Sequence, residues 1–197
     1  MKVVGITGGI ATGKTFIANY FETLGYKVFN ADKVVHQIFS EGDVVKHITG
    51  LFLGVEKGGV IDRKLLGDIV YGDKDKKKLL EDYIHPIVRQ RRDEFLKDRE
   101  KNGDEIVFLD IPLLIETNGN NICDYVIVCK LEDKIQKQRA LERSEPRINE
   151  DKYNKIKSLQ IKDEDRVKQA DFVIDTGKEK NFIYRECDKI ISLIKNK

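Results

Sequence analysis

Disulfide frameworks, protein-held transition metals and membrane spans all need residues or runs that this chain lacks. Its 197 residues include three cysteines, Cys123, Cys129 and Cys187, odd in number, widely spaced and with two in or beside apolar stretches. That pattern reads as reduced core thiols and excludes a disulfide framework. The three histidines, His36, His47 and His85, form neither an H-x-x-x-H pair nor a joint pattern with cysteine, so no protein-held transition metal is expected. No apolar run approaches bilayer length, and Met1 leads straight into an apolar strand-like run without a signal-peptide pattern. The expectations are therefore no membrane partner and a cytoplasmic location. Internal repeats and low-complexity linkers are also missing, which argues against separate independently folding domains. Excess charge of one sign is absent too: charged residues make up 36% of the chain, yet the formal net charge is +2. Such a surface is not a polycation, so nucleic acid is not an expected partner. Runs such as Lys74-Asp75-Lys76-Lys77-Lys78 read as solvated helix faces.

What is present begins with Gly8-Gly9-Ile10-Ala11-Thr12-Gly13-Lys14-Thr15, which fits G-x-x-x-x-G-K-[ST]. With glycine usage near 7%, the fixed positions coincide by accident in on the order of one chain in a hundred of this length. The flanks strengthen the match: Lys2 to Thr7 reads as a short buried strand, and Phe16 to Leu24 places apolar residues at helical spacing. A loop that wraps a triphosphate must turn successive backbone N–H groups inward, and glycine permits this where side chains would block it. Lys14 then supplies a mobile cation for the β- and γ-phosphates and Thr15 a hydroxyl for Mg²⁺. The new helix adds free N–H groups and its positive dipole end.

Further along, Lys27 to Asn30, Ile106 to Asp110, Tyr125 to Cys129 and Phe172 to Asp175 read as additional strands of a buried parallel sheet. Helical patterns lie between them at Lys14 to Leu24, Glu132 to Arg143, Asp151 to Val167 and Lys178 to Lys195, the alternation of a doubly wound α/β fold. Nothing strand-like falls between Asn30 and Glu105, where helical patterns recur with turn signals at Glu41-Gly42-Asp43, Lys57-Gly58-Gly59 and Tyr71-Gly72-Asp73. This reads as a helical insertion projecting from the carboxyl edge of the sheet, where it would shape a second substrate's pocket; plain packing is the alternative.

Four regions hold candidates for chemistry beyond the loop. Asp32, just past the second strand, is placed to orient an attacking hydroxyl, and equally to cap a helix beginning near Lys33. Asp110 ends an apolar strand as a Walker-B acid would, although a sheet-edge cap carries somewhat more weight. His85-Pro86 interrupts the helical stretch from Lys74 to Arg99, where proline should break or kink it, leaving His85 as a packed residue or a ligand contact. Gln136, Arg139 and Arg143 share one helical face, with Arg147 following. Arginines at the mouth of a phosphate site stabilise a transferring phosphoryl group, although for any one of them surface charge is the simpler reading.

Taken together, these residues resemble the dephospho-CoA kinases, which move the γ-phosphate of ATP to the ribose 3′-hydroxyl of dephospho-CoA in the last step of coenzyme A synthesis. The resemblance spans nearly the whole chain. It rests on Thr7-Gly8-Gly9-Ile10, Ala31-Asp32, Ile61-Asp62-Arg63-Lys64-Leu65, His85-Pro86, Pro112-Leu113-Leu114-Ile115-Glu116, Gln136 with Arg139 and Arg143, Gln160 with Arg166, and Ala170 to Asp175. It implies a single P-loop kinase domain made of a parallel-sheet core (residues 1–30, 105–135 and 168–197), a helical CoA-binding insertion (31–104) and a lid (136–167). It also implies ATP and dephospho-CoA as substrates, Mg²⁺ arriving with ATP, and a monomer. By similarity the catalytic groups are Asp32, Lys14 and Arg139. The ATP side comprises Gly8, Gly9, Ile10, Ala11, Thr12, Gly13, Lys14, Thr15, Phe16, Arg139, Arg143, Asp175 and Gly177. The CoA side comprises Asp32, His85, Pro112, Leu113, Leu114 and Glu116. The chain departs from the family pattern at Asn30, which replaces an acid, at Ala11, which replaces a glycine, at Thr15-Phe16, at Ser144 and at Thr176. A nucleoside or nucleotide monophosphate kinase is the nearest alternative. A P-loop switch is more distant, because no guanine-reading N-K-x-D occurs.

Overall fold

A strand buried on both faces must be apolar nearly throughout, and β1 (Lys2–Gly8) meets that requirement, its last five residues being fully covered. In the computed structural model, which describes residues 1–70, 72–142 and 148–196, β1 is the middle strand of a five-stranded sheet. It is followed by α1 (Lys14–Thr23), β2 (Lys27–Asn30), α2 (Ala31–Ile38), α3 (Gly42–Leu51), β3 (Glu56–Lys57) and β4 (Val60–Ile61). Next come α4 (Arg63–Val70), α5 (Lys74–Lys101), β5 (Ile106–Asp110), a 3₁₀ turn (Gly119–Ile122) and β6 (Tyr125–Lys130). The chain then forms α6 (Asp133–Glu142), α7 (Glu150–Ser158), α8 (Asp163–Val167), β7 (Phe172–Asp175) and α9 (Lys180–Lys195). The chain divides into two compact units, Met1–Phe29 with Arg99–Lys197, and Asn30–Asp98. No described helix is long and apolar enough to cross a membrane.

The first unit holds the large sheet, ordered β2-β5-β1-β6-β7. The β1–β5, β1–β6 and β6–β7 ladders are parallel, pairing Ile6 with Asp110, Gly8 with Cys129, and Lys130 with Asp175. Because β5 and β6 flank β1 on opposite sides, the carboxyl end of β1 is the topological switch point where open α/β sheets bind ligands. Period-two alternation sorts the side chains of β6. Ile127 and Cys129 join Val4, Ile6 and Phe108 under α1 and α9, while Val126 and Val128 face Leu114 and Ile115. Phe21 of α1 stacks on Phe108 with ring centroids 4.0 Å apart.

The second unit is helical and has its own apolar cluster, including Ile38, Val44, Ile48, Phe52, Leu66 and Ile84. Three local expectations are corrected. The stretch read as strand-free contains β3 and β4, an antiparallel pair turning through Gly58 and Gly59 at φ 62° and 81°. Two-residue strands leave no periodic pattern to read, whereas the paired positive φ values are those of a tight hairpin turn. Pro86 does not end the helix: α5 runs through it from Lys74 to Lys101. Proline removes a single helical hydrogen bond, and the packing of Leu80, Ile84, Ile87 and Val88 into the cluster holds the turns on either side. In the first unit, the helix expected over Asp151 to Val167 is two, α7 and α8, parted by residues 159–162.

Candidate active site

Between β1 and α1 the backbone turns sharply enough to need a left-handed residue. Gly13 has φ 81° and forms the N-cap of α1. A Cβ at that position would also lie 3.3 Å from Thr176. The loop braces itself: the Thr12 hydroxyl, 1% exposed, donates to the Gly9 carbonyl at 2.8 Å. A second brace comes from beyond β7, where the buried Thr176 hydroxyl donates to the Thr12 carbonyl at 2.6 Å. Since α1 opens at Lys14, the Phe16 and Ile17 N–H groups turn back to the Gly13 carbonyl, while those of Lys14 and Thr15 precede any intrahelical acceptor and have no acidic side chain in their turn. The loop thus ends in a helix N-terminus of the sort that accepts phosphate oxygens.

Lys14 and Asp110 form an ion pair, and the aspartate is fully buried at the end of β5. The two readings of Asp110 as metal-steering acid or edge cap thereby gain a third element, a charge partner for the loop lysine. Thr15 is exposed and Phe16 half-buried, its ring stacked on Tyr184 at 5.5 Å. Burial pushes the Cys129 thiol well above its usual range, with Lys14 opposing and Asp110 adding to the shift. This cysteine, paired in register with Gly8, is therefore a packing residue and not a nucleophile.

On the other side of the loop stand α6 and α7. Gln136, fully buried on α6, donates to the Ile10 carbonyl at 2.6 Å, and Gln160 accepts from the Ile10 N–H at 3.1 Å. Lys157 donates to Gln136 at 2.7 Å, to Asp163 at 2.6 Å and to Asp133 at 3.1 Å. Partial burial pulls the Lys157 ammonium down, but its bonds to Asp163 and Asp133 win and its pKa is raised. Arg166, 1% exposed, pairs with Asp163 and, at 2.9 Å, with Glu116. Glu116 also accepts from the Ile161 N–H at 3.3 Å.

The expected site residues divide among these surroundings. Arg139 is exposed and donates to the Thr176 carbonyl at 3.3 Å. Asp175 accepts from the Gly177 N–H at 2.9 Å, which shapes the exposed turn after β7. Thr7 donates to the Pro112 carbonyl at 3.0 Å, Pro112 and Leu113 are half-buried, and Leu114 is taken up entirely by the core. Arg143 and Arg147 lie outside the described residues. In the second unit His85 and Asp32 are both exposed. The cap of α2 is Asn30, whose side chain accepts from the Lys33 N–H at 2.8 Å. The capping role considered for Asp32 is thereby corrected, because the helix starts two residues before Lys33 and Asp32 sits in its first turn. Asn and Asp cap equally well, so an amide at this position suffices for the capping role. Lys157 and Asp163 carry no recognisable sequence motif and emerge only from the geometry. Among the described residues no cluster of three or more His, Cys, Asp and Glu side chains is arranged to hold a metal ion.

A parallel sheet with a glycine loop and lysine at its switch point defines a P-loop nucleotide-binding protein. Residues 2–181 match the profile of the dephospho-CoA kinase family. A dephospho-CoA kinase from Bartonella quintana (strain Toulouse) is 39% identical over 197 residues, covering 100% of both chains. Among solved structures, a Thermus thermophilus protein superposes with TM-score 0.83 at 25% identity, over 98% of this chain and 96% of that one. A dephospho-CoA kinase from Campylobacter jejuni superposes with TM-score 0.68 at 29% identity, over 98% and 97%. The chain belongs to the dephospho-CoA kinase family.

Proposed function

We propose that this protein transfers the γ-phosphoryl group of ATP to the ribose 3′-hydroxyl of dephospho-CoA, giving coenzyme A and ADP. The observation that carries the reading is a braced glycine cradle ending at Lys14 in a chain that matches this family from residue 2 to 181. Phosphoryl transfer asks little covalent chemistry of the protein, so catalysis is positioning and charge stabilisation. The N–H groups at the start of α1 bind the phosphates, and Lys14 exchanges Asp110 for the β- and γ-oxygens as ATP enters. Arg139 offsets charge on the transferring group. Asp32, spared from capping by Asn30, orients the acceptor hydroxyl and takes its proton. The second unit holds the CoA moiety, and residues 136–167 serve as the lid that excludes water.

Mg²⁺ comes with ATP. The exposed Thr15 hydroxyl and the Asp110 carboxylate are the fitting donors, oxygen ligands of the kind this ion prefers. When bound it would offset the negative charge of the ATP phosphates.

A coupled assay for ADP, run with dephospho-CoA, AMP, CMP and nucleosides as acceptors, tests the reading. Turnover is expected with dephospho-CoA alone, and well-folded protein that turns over AMP or CMP instead would overturn it. Asp32→Asn is expected to keep ATP affinity while losing at least about two orders of magnitude in kcat, the usual scale of a lost general base. Unchanged kcat would leave Asp32 without a role.

A further inference from the structure

The bend of the cradle at Gly9-Ile10 is held by groups that the transfer step does not use. Ile10 is gripped through both of its peptide groups, by Gln136 at its carbonyl and Gln160 at its N–H. Its side chain packs against the cluster of Ala140, Ile148 and Tyr153 of the same region. The orientation of the Gln136 amide is forced. Lys157 can only donate, so Gln136 Oε1 must face it, and Nε2 is left for the Ile10 carbonyl. Gly9 sits inside the grip, since a Cβ there would lie 2.7 Å from Gln136 Nε2.

From this geometry we infer that Gln136 and Gln160 are positioning residues that set the shape of the ATP cradle at Ile10, with Lys157 holding Gln136 in its working orientation. The inference rests on the reading of Gly8 to Thr15 as an ATP site. It adds that the shape of this site is dictated by the α6–α7 region, and that Gly9 is a glycine because of Gln136 and not because of phosphate. ATP affinity thus depends on side chains that touch no part of ATP, whereas acceptor affinity does not depend on them.

Gln136→Met and Gln160→Met each remove one bond to Ile10 at matched length, the first removing the Lys157 bond as well. ATP affinity, measured by calorimetry, is expected to fall roughly tenfold in each, the equivalent of one good buried hydrogen bond. The KM for dephospho-CoA should stay within about twofold. A double-mutant cycle supplies the readout that general destabilisation would not reproduce. Gly9→Ala weakens ATP binding in the parent chain, and much less when Gln136→Ser has removed the atom it strikes. Should the methionine variants not fold, Lys157→Met, at a side chain 28% exposed, carries the test with a smaller loss in the same direction. Folded variants with wild-type ATP affinity, or additive Gly9 and Gln136 effects, overturn the grip. Absence of ATP binding in the wild type would instead overturn the cradle reading itself.

Discussion

Ala11 occupies a backbone conformation that alanine dislikes, with φ 57° in the left-handed region. A Cβ there costs roughly 1–2 kcal/mol, and the extra chain entropy that glycine loses on folding returns about 0.5–1 kcal/mol of this. Ala11→Gly is therefore expected to raise stability by about 0.5–1 kcal/mol, read as a higher urea midpoint; an unchanged or lower midpoint sinks the argument. Arg166 works in the opposite sense. It is buried between Asp163 and Glu116, and removing it leaves Glu116 without this cation and Asp163 with Lys157 in its place. Arg166→Met should cost about 3 kcal/mol, the low end for a broken buried pair because both acids retain some solvent. Urea unfolding of Arg166→Met with Glu116→Leu should recover part of that loss, and full additivity of the two changes would contradict it. Legibility at this scale followed spacing. Gly8 to Lys14 was readable because the glycines and lysine are fixed by one local loop. Gln136, Gln160 and Arg166 had meaning only through a family resemblance, since their partners are Ile10 and Glu116, far away in the chain. Asp32 was misread as a possible cap through a small shift in helix start, and the atom that settles it is Asn30 Oδ1.

At the scale of elements, β1, β5 and β6 were legible because a parallel strand covered on both faces must be a nearly unbroken apolar run, and the partly exposed edge strands β2 and β7 by shorter runs between helical patterns. The β3–β4 hairpin and the α7–α8 break were not, the first being too short for any period and the second lying within a highly charged stretch where solvated and buried faces look alike. Pro86 shows packing overriding propensity. Its cost within α5 is retained, so Pro86→Ala should stabilise the chain by about 2 kcal/mol, somewhat less than the full helix penalty because proline also stiffens the unfolded state. A melting temperature that falls in this variant would show that the proline shapes α5 productively. The N-terminus of the same helix carries a pH dependence. Asp73 accepts from the Lys76 N–H at 3.0 Å and the Asp75 N–H at 3.1 Å, and these bonds with the Lys76 ammonium lower its carboxyl pKa. A depressed folded pKa stabilises above the unfolded value near ~3.9 and loses that contribution as pH falls through the folded value. Asp73→Ala should accordingly melt below wild type at pH 7, the gap closing as pH drops below about 4. A gap that is constant with pH would assign the effect to helix propensity alone.

For the molecule as a whole, the separate apolar clusters of the two units accompany two proposed substrates, and the chain passes between the units at residues 29–30 and 98–99. The second passage lies inside α5, a continuous helix from Lys74 to Lys101. A helical insertion was suggested in outline by the missing strand rhythm between Asn30 and Glu105. Its exact bounds were not, because a helix that runs through a boundary has no composition break to mark it. Ligand binding can separate what the covalent chain joins. A ligand at a hundred times its Kd stabilises the segment it holds by about 2.7 kcal/mol through mass action alone. ATP is therefore expected to slow amide exchange around residues 8–16 and 175–177, and dephospho-CoA to slow it in α2 around Asp32 and along α5 near His85. If ATP alone protected the second unit as strongly as the cradle, the two substrates would not be divided between the units. The assignment of Asn30–Asp98 to the acceptor would then fail, even with the family and the cradle intact.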